Sequence, residues 1–407
     1  MATEWAQLPK DLLHKISTHI QTQTDLLRFR SVCSTWRSSA TPKRHRFPIL
    51  LLPGNGVSNF GLQLSKRILF LLSSPYPRHQ TPWLVKMEDN DHHHHHNRLR
   101  NPLSRCPLDS SISDATNSLP CVFDLFNVRI RELGHEFVLE YKNASSSNVY
   151  MEKVILMTLT MTSTPYHFVL LTIHVSGKLA IFRSGDKRWT IIEDMTSPYD
   201  DVALFRGGFY AVDCTGKAML VNLDLGLELV ADSVFGGDKK YLVESEGDLL
   251  LVDMYLSMEV EGAPEFPAPE YEEEEEIGGF CVRERTVKFK VFKLDEREKK
   301  WVEVKSLGDR IVFLADDCTF SASAMEIGLC RGGCIVYSDG FFGLDGEDIG
   351  VGGGGWEFWG ISVFDLGNGC IRSLRNCPEF SKLFWPPPQW LNATMMDEQK
   401  HVEEHAS

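Results

Sequence analysis

Cysteine is scarce. Ten occur in 407 residues, none in a C-x-x-C pair, and the closest spacings, Cys330/Cys334 and Cys370/Cys377, make weak zinc ligand sets. A disulfide scaffold is thereby excluded, and a reducing compartment, nucleus or cytoplasm, is the expectation. Basic residues are outnumbered: 42 Lys and Arg face 56 Asp and Glu, a net charge of −14. A nucleic-acid footprint needs a basic face, so no nucleic-acid partner is expected. Catalytic signatures are missing as well. There is no G-x-S-x-G elbow and no H-E-x-x-H helix. The glycine run at 350–355 leads into Trp356-Glu357, not into the lysine and hydroxyl a phosphate loop requires. No catalytic residue, metal or cofactor is expected.

Long apolar runs are also lacking. The opening MATEWAQLPK has no apolar stretch behind a basic one, so no secretory signal is expected. Residues 154–177 carry no Asp, Glu, Lys or Arg, yet they include seven Ser/Thr, two His and Pro165. At 156–162 the sequence LMTLTMT alternates apolar and polar with period two. That is a half-buried strand, with a turn at 163–166 and a second strand at 168–175. No membrane association is expected.

What is present divides in two. Residues 1–46 hold eight Lys/Arg against three Asp/Glu, whereas the remainder carries −19. This short segment reads as helical. Pro9 suits a first helical turn. Leu12, Ile16 and Ile20 recur at four-residue spacing with Leu13 beside them. Thr24 or Asp25 suits the cap of a second helix with Leu26, Leu27, Phe29, Val32 and Cys33, and Ser34 that of a third with Trp36. Pro42 ends the pattern. Three such helices cannot cover their own apolar surface, so a partner or the rest of the chain must complete them.

Residues 8–40, LPKDLLHKISTHIQTQTDLLRFRSVCSTWRSSA, strongly resemble an F-box over the motif's whole length. The resemblance implies docking on the Skp-type adaptor, and through it on the cullin-RING ligase core. It implies that Leu8, Pro9, Leu12, Ile16, Leu26, Leu27, Phe29, Arg30, Val32, Cys33 and Trp36 form that interface or support it. Some of them must instead make the small internal core, and the sequence does not sort them. The positive charge of the segment suits an acidic adaptor.

Beyond residue 47 the chain breaks into short β-rich runs. Four units recur, at 153–194, 201–232, 240–307 and 311–374, each reading as four antiparallel strands with Asp or Gly at the turn before the last. The markers are Asp186, Asp224, Asp295 and Asp365. Their spacing lengthens where insertions fall, near 257–281 and 340–355. Without these the period suits propeller blades. Residues 47–150 have room for two more, so about six blades are expected. A β-sandwich is the competing fold.

LRNPLSR (99–105), FDLFNVRIRELGHEFVLEYK (123–142), GKLAIFRSGDKRW (177–189) and LFWPPPQW (383–390) resemble the plant F-box proteins with an uncharacterised, kelch-like β-propeller behind the F-box. This implies an α+β multidomain chain: an F-box at 1–46, a target-binding antiparallel all-β propeller at 47–392, and a disordered tail at 393–407. It also implies a non-catalytic substrate receptor of an SCF ubiquitin ligase with an unidentified target. Insertions near 86–98, 257–281 and 340–355 depart from the family pattern. The first holds five histidines at 92–96 and reads as a solvated loop. The second has nine glutamates between 257 and 279 without a lysine or arginine, and reads as disordered. The two longer insertions fall at equivalent places in their units, so they should share one rim, a candidate target surface. Two other readings stay open: a propeller binding a carbohydrate or small molecule with the helices as a cap, and a propeller enzyme.

Overall fold

A computed structural model describes residues 5, 8–20, 23–40, 51–52, 62–75, 81–88, 98–104, 128–141, 152–159, 167–193, 196–261, 281–315, 317–338, 360–384, 387–388 and 390–391. The turn at 163–166, the five histidines, most of the acidic stretch, the glycine run and the 393–407 tail lie outside them.

The head is three helices: α1 (Lys10–His19), α2 (Gln23–Ser31) and α3 (Ser34–Ser39). Pro9 sits just before α1 as its cap, and its carbonyl accepts the Leu12 and Leu13 amides, both at 3.1 Å. Neither Thr24 nor Asp25 caps α2, which already begins at Gln23. Asp25 instead lies in the first turn, where a carboxylate favours the helix dipole. Likewise Ser34 opens α3 and Cys33 is the cap.

The body is a ring of small sheets. β1 (Leu51–Leu52) pairs with β2 (Leu62–Ser73), and β2, β3 (Trp83–Glu88), β4 (Arg98–Arg100) and β5 (Arg129–Tyr141) form a first blade in the order β4-β3-β2-β5. β6 (Glu152–Thr158), β7 (Phe168–Ile173), β8 (Leu179–Arg183) and β9 (Thr190–Ile191) make the second, joined to the first by β5–β6 pairing. The third is β10 (Tyr199–Phe205), β11 (Gly208–Asp213), β12 (Ala218–Val221) and β13 (Leu227–Ala231). The fourth is β14 (Lys239–Ser245), β15 (Asp248–Glu261), β16 (Cys281–Asp295) and β17 (Lys300–Val304). The fifth holds β18 (Arg310–Leu314), β19 (Thr319–Ser323), β20 (Cys334–Ser338), β21 (Ile361–Asp365) and β22 (Ile371–Ser373), ordered β19-β18-β20-β21-β22. The inner strands β5, β6, β10, β14 and β19 touch in succession, and β19 meets β5, which closes the ring.

Two expectations need correction. The described residues make five blades, not about six. Of residues 47–150, the described strands β1 to β5 make a single blade, and the ring closes at five because β19 meets β5. The fifth blade is also not four antiparallel strands. It has an extra inner strand, β19, and β18 runs parallel to β20 (Ile311↔Cys334). The direction of entry explains this. Thr319 Oγ1 donates to the Leu242 carbonyl and Ser321 Oγ meets Ser245 Oγ, so β19 runs the same way as β14. Its hairpin partner β18 must then run the opposite way and cannot be the inner strand.

These directions define two ends. At the proximal end Arg28 Nη2, from α2, donates to the Ile130 carbonyl at 2.6 Å, near the start of β5. The four turn markers act here. Asp224, Asp295 and Asp365 each accept an amide two residues on, at about 3 Å, and Asp186 accepts the Arg183 amide at 2.9 Å. At Arg206-Gly207 and Glu246-Gly247 both residues have positive φ, as tight two-residue hairpins require. The strands flanking 89–97, 262–280 and 339–359 all deliver the chain to the opposite, distal end.

Apolar packing lies between blades. Phe137, Val154 and Phe182 fill the first seam, Val169, Val202 and Phe209 the second, and Phe205, Leu251 and Trp301 the third. Phe289, Val312 and Phe364 fill the fourth; Leu69, Phe313 and Phe320 fill the last. Past β22 the chain runs through α4 (Pro378–Ser381) and crosses back to the first blade. There Trp83 Nε1 donates to the Phe384 carbonyl at 2.7 Å, and Trp390 Nε1 to that of Thr81 at 3.1 Å.

Candidate functional site

The helices sort the motif residues that sequence leaves mixed. Leu13, Leu26, Phe29 and Ala40 form the head's core, with Leu8, Ile20 and Trp36 packed against it. Phe29 and Trp36 meet at a ring distance of 4.5 Å, and Trp36 Nε1 donates to the Trp5 carbonyl. Arg30 is a tie as well as a surface cation: it is half-buried and donates to the Arg37 and Ala40 carbonyls, binding α2 to the end of α3. Cys33 is half-buried at the α3 cap. The Leu27 side chain lies outside the described residues.

Four motif residues remain outside. Pro9 is exposed, and Leu12, Ile16 and Val32 keep 49 %, 43 % and 55 % of their surface in water. Leu12 and Ile16 stand one turn apart on α1. The core members Leu13 and Ala40 fall outside the residues expected from the motif. Leu13 is visible as an apolar neighbour of that face, but Ala40 is too small to give a signal.

Toward the distal end the body buries a set of charged side chains. In the first blade Lys86 Nζ lies 3.0 Å from Glu136, and Arg67 lies 3.4 Å from Glu136 and 3.5 Å from Asp317 of the fifth. All four side chains are fully buried. The Cys318 thiol beside them is pushed up by burial, and the Glu136 charge adds to the rise. Lys153 of the second blade pairs with Asp201 of the third at 2.5 Å, and Asp201 also accepts the Leu242 amide of the fourth. Lys240 pairs with Asp253 at 2.7 Å. The Arg67–Asp317 and Lys153–Asp201 pairs and the Asp201–Leu242 hydrogen bond tie neighbouring blades together, and the other pairs lie within a blade. Asp200 is the exception. Burial raises its carboxyl from 3.8 to about 6, although the Lys240 amide and ammonium pull the other way.

Sequence reading missed this network. The signal was there in part: charges at Arg67, Lys86 and Glu136 interrupt otherwise apolar strand runs. The flanks of the two longer insertions do share one end, as expected. β15 continues to Glu261 and β16 starts at Cys281, so the margins of the acidic stretch are paired strand, with Glu259 opposite Arg283.

Comparison with known proteins agrees with both halves. A family described as "F-box-like" matches residues 5–44, and one described as "KIB1-4 beta-propeller" matches residues 62–357. Three Arabidopsis thaliana relatives are similar over nearly their whole length. "F-box protein SKIP23" is 45 % identical, covering 99 % of both chains. "F-box protein At2g17036" is 37 % identical, covering 99 % of this chain and 98 % of its own. "Putative F-box/kelch-repeat protein At5g24040" is 30 % identical, covering 95 % and 98 %. The helical head, the ring of blades among the described residues and these matches together establish that the chain belongs to the plant F-box proteins with a KIB1-4 β-propeller.

Proposed function

We propose that this chain is the substrate-recognition subunit of an SCF (Skp–cullin–F-box) E3 ubiquitin ligase, bridging a target protein to the ligase core for ubiquitination and degradation. The observation that carries it is that Leu12, Ile16 and Val32 keep about half their surface in water on a bundle whose core is already filled by Leu13, Leu26 and Phe29. Leu12, Ile16 and Val32 are free to complete another polypeptide's core. The Skp-type adaptor is the partner that the family membership supports.

The mechanism is tethering, and this subunit makes or breaks no bond. Held on the adaptor at the proximal side and on a target at the propeller, it raises the effective concentration of target lysines near the charged ubiquitin. The proposed location is nucleus or cytoplasm, where the ligase core and the reduced cysteines both fit.

The test is a binding titration of the full chain against a purified Skp-type adaptor. Burying a Leu or Ile side chain is worth about 1.5–3 kcal/mol. Leu12→Asp/Ile16→Asp should therefore weaken binding by about a hundredfold or more, with the propeller's unfolding transition unchanged. Wild-type protein that ignores the adaptor, or a double variant that binds like wild type, would refute the proposal.

A further inference from the structure

We infer that the distal seam between the third and fourth blades binds an acidic peptide segment of the target, with Phe235 as the apolar anchor and Lys288 and Lys290 as the carboxylate contacts. This rests on the receptor reading above and specifies the chemistry of its target.

Two lysines carry the argument. Lys288 and Lys290 both lie over the Tyr255 ring, 5.8 Å and 5.6 Å from its centre. They are alternate residues of β16, on the face that Tyr255 occupies across the pair. Across the pair Lys288 faces Tyr255 and Lys290 faces Asp253, a carboxylate already taken by Lys240 at 2.7 Å. Two like charges sharing one ring repel, and the ring's own attraction is worth only about 0.5–1 kcal/mol at an exposed site. The nearby carboxylates are engaged, Asp253 by Lys240 and Asp238 by the Leu256 amide, which leaves the repulsion between the two ammonium groups. An anion seated between the two ammonium groups relieves it.

Phe235 supplies the second element. Its ring is 78 % exposed, on the connection between β13 and β14. The next two residues lie flat on β15: a Cβ at Gly236 would stand 2.4 Å from the Tyr255 hydroxyl, and one at Gly237 2.5 Å from both Asp253 Oδ1 and the Met254 carbonyl. The Gly237 amide donates to Asp253 at 3.0 Å and the Asp238 amide to Met254 at 2.7 Å. An exposed aromatic on a backbone fixed this firmly is pre-organised for binding, the usual character of an interface anchor. Seven glutamates lie in sequence between β15 and β16. Long-range steering therefore does not favour an acidic partner, and the attraction acts at contact range, within about a Debye length of 8 Å.

The test uses the full chain bound to its adaptor and two labelled twelve-residue peptides. One carries four glutamates around a leucine; the other has lysine for each glutamate. Fluorescence anisotropy should show the glutamate peptide binding at least about tenfold more tightly, and weakening as salt rises. Lys288→Glu/Lys290→Glu should cost at least about tenfold, and Phe235→Ala should cost several-fold, with adaptor affinity and melting temperature unchanged. The proposal falls if the two peptides bind alike, if the glutamate peptide does not bind, or if the double variant binds it unchanged. Those outcomes leave adaptor binding intact, whereas a failed receptor reading appears as loss of adaptor binding itself.

Discussion

The head and the body treat their unfavourable side chains in opposite ways. The head leaves about half the surface of Leu12, Ile16 and Val32 in water. The body buries whole charges, among them Arg67, Lys86, Glu136 and Asp317, and pairs them. A surface that is costly alone and useful in a complex marks a region built for association. An interior that pairs its buried ions marks a scaffold that must hold its shape unaided. The comparison predicts that damage to one half should not spread to the other.

The broadest effect is expected in the body. Asp201 takes the Lys153 ammonium and the amides of Val202 and Leu242. Asp201→Ala leaves a partly buried cation and two buried amides unpaired, at a cost of about 2–4 kcal/mol. Chemical denaturation should show the propeller transition at markedly lower denaturant, while adaptor affinity stays at the wild-type value. A fall in both would mean that the halves are one cooperative unit.

Next come two neighbours in α1. Leu13 is fully buried and Leu12 half-exposed. Leu13→Ala should cost the head about 2–5 kcal/mol, read as faster hydrogen exchange of the α1 amides. Leu12→Ala should shift that exchange by no more than about 0.5 kcal/mol and still weaken the adaptor complex. If both residues behave alike, the division into core and docking face is wrong.

This pair also shows how far sequence reaches. Periodicity and the F-box resemblance place the helices, but adjacent leucines differ only through the packing of α2 and α3, which no local pattern records. In the body, Asp186, Asp224, Asp295 and Asp365 were legible because each turn is closed by its own side chain. β19 was not. Its sequence, TFSAS, has a single large apolar residue, Phe320, and its place as the inner strand follows from the direction in which the chain enters the fifth blade. The buried ions were hidden for a related reason. A lysine in a strand reads as a solvent face until the opposing blade supplies its carboxylate.

Asp200 gives a subtler test of how completely the body satisfies its charges. Its carboxyl titrates near 6 when folded and near 3.8 when free. Folding therefore favours the protonated form. The stabilising contribution is complete below about pH 3.8 and is lost as pH rises through about 6. The full shift would correspond to about 3 kcal/mol, and partial exposure to solvent reduces this to about 1–2 kcal/mol. Asp200→Asn removes the titration and retains an acceptor for the Lys240 amide. Relative to wild type it should gain about 1–2 kcal/mol between pH 4 and pH 6 and remain level above that. A stability difference that does not change with pH would show that this carboxyl is solvated like any surface acid.

The smallest expected effect concerns the link between the halves. Arg28 bridges Asp25 of its own helix at 2.9 Å and the Ile130 carbonyl of β5 at 2.6 Å. Both Arg28 and Asp25 are about half-exposed, so Arg28→Ala should cost no more than about 1 kcal/mol. Neither the propeller's melting temperature nor the adaptor affinity should move. The head's orientation should. With a spin label on α1, relaxation enhancement at proximal-end amides of β5 should become weaker and more uniform in the variant. A tether that positions a target toward a distant ubiquitin depends on that angle, so ubiquitin transfer should slow although each binding step is intact. If the orientation is unchanged without the guanidinium, the head is held by packing along β5 and the arginine is only a surface charge.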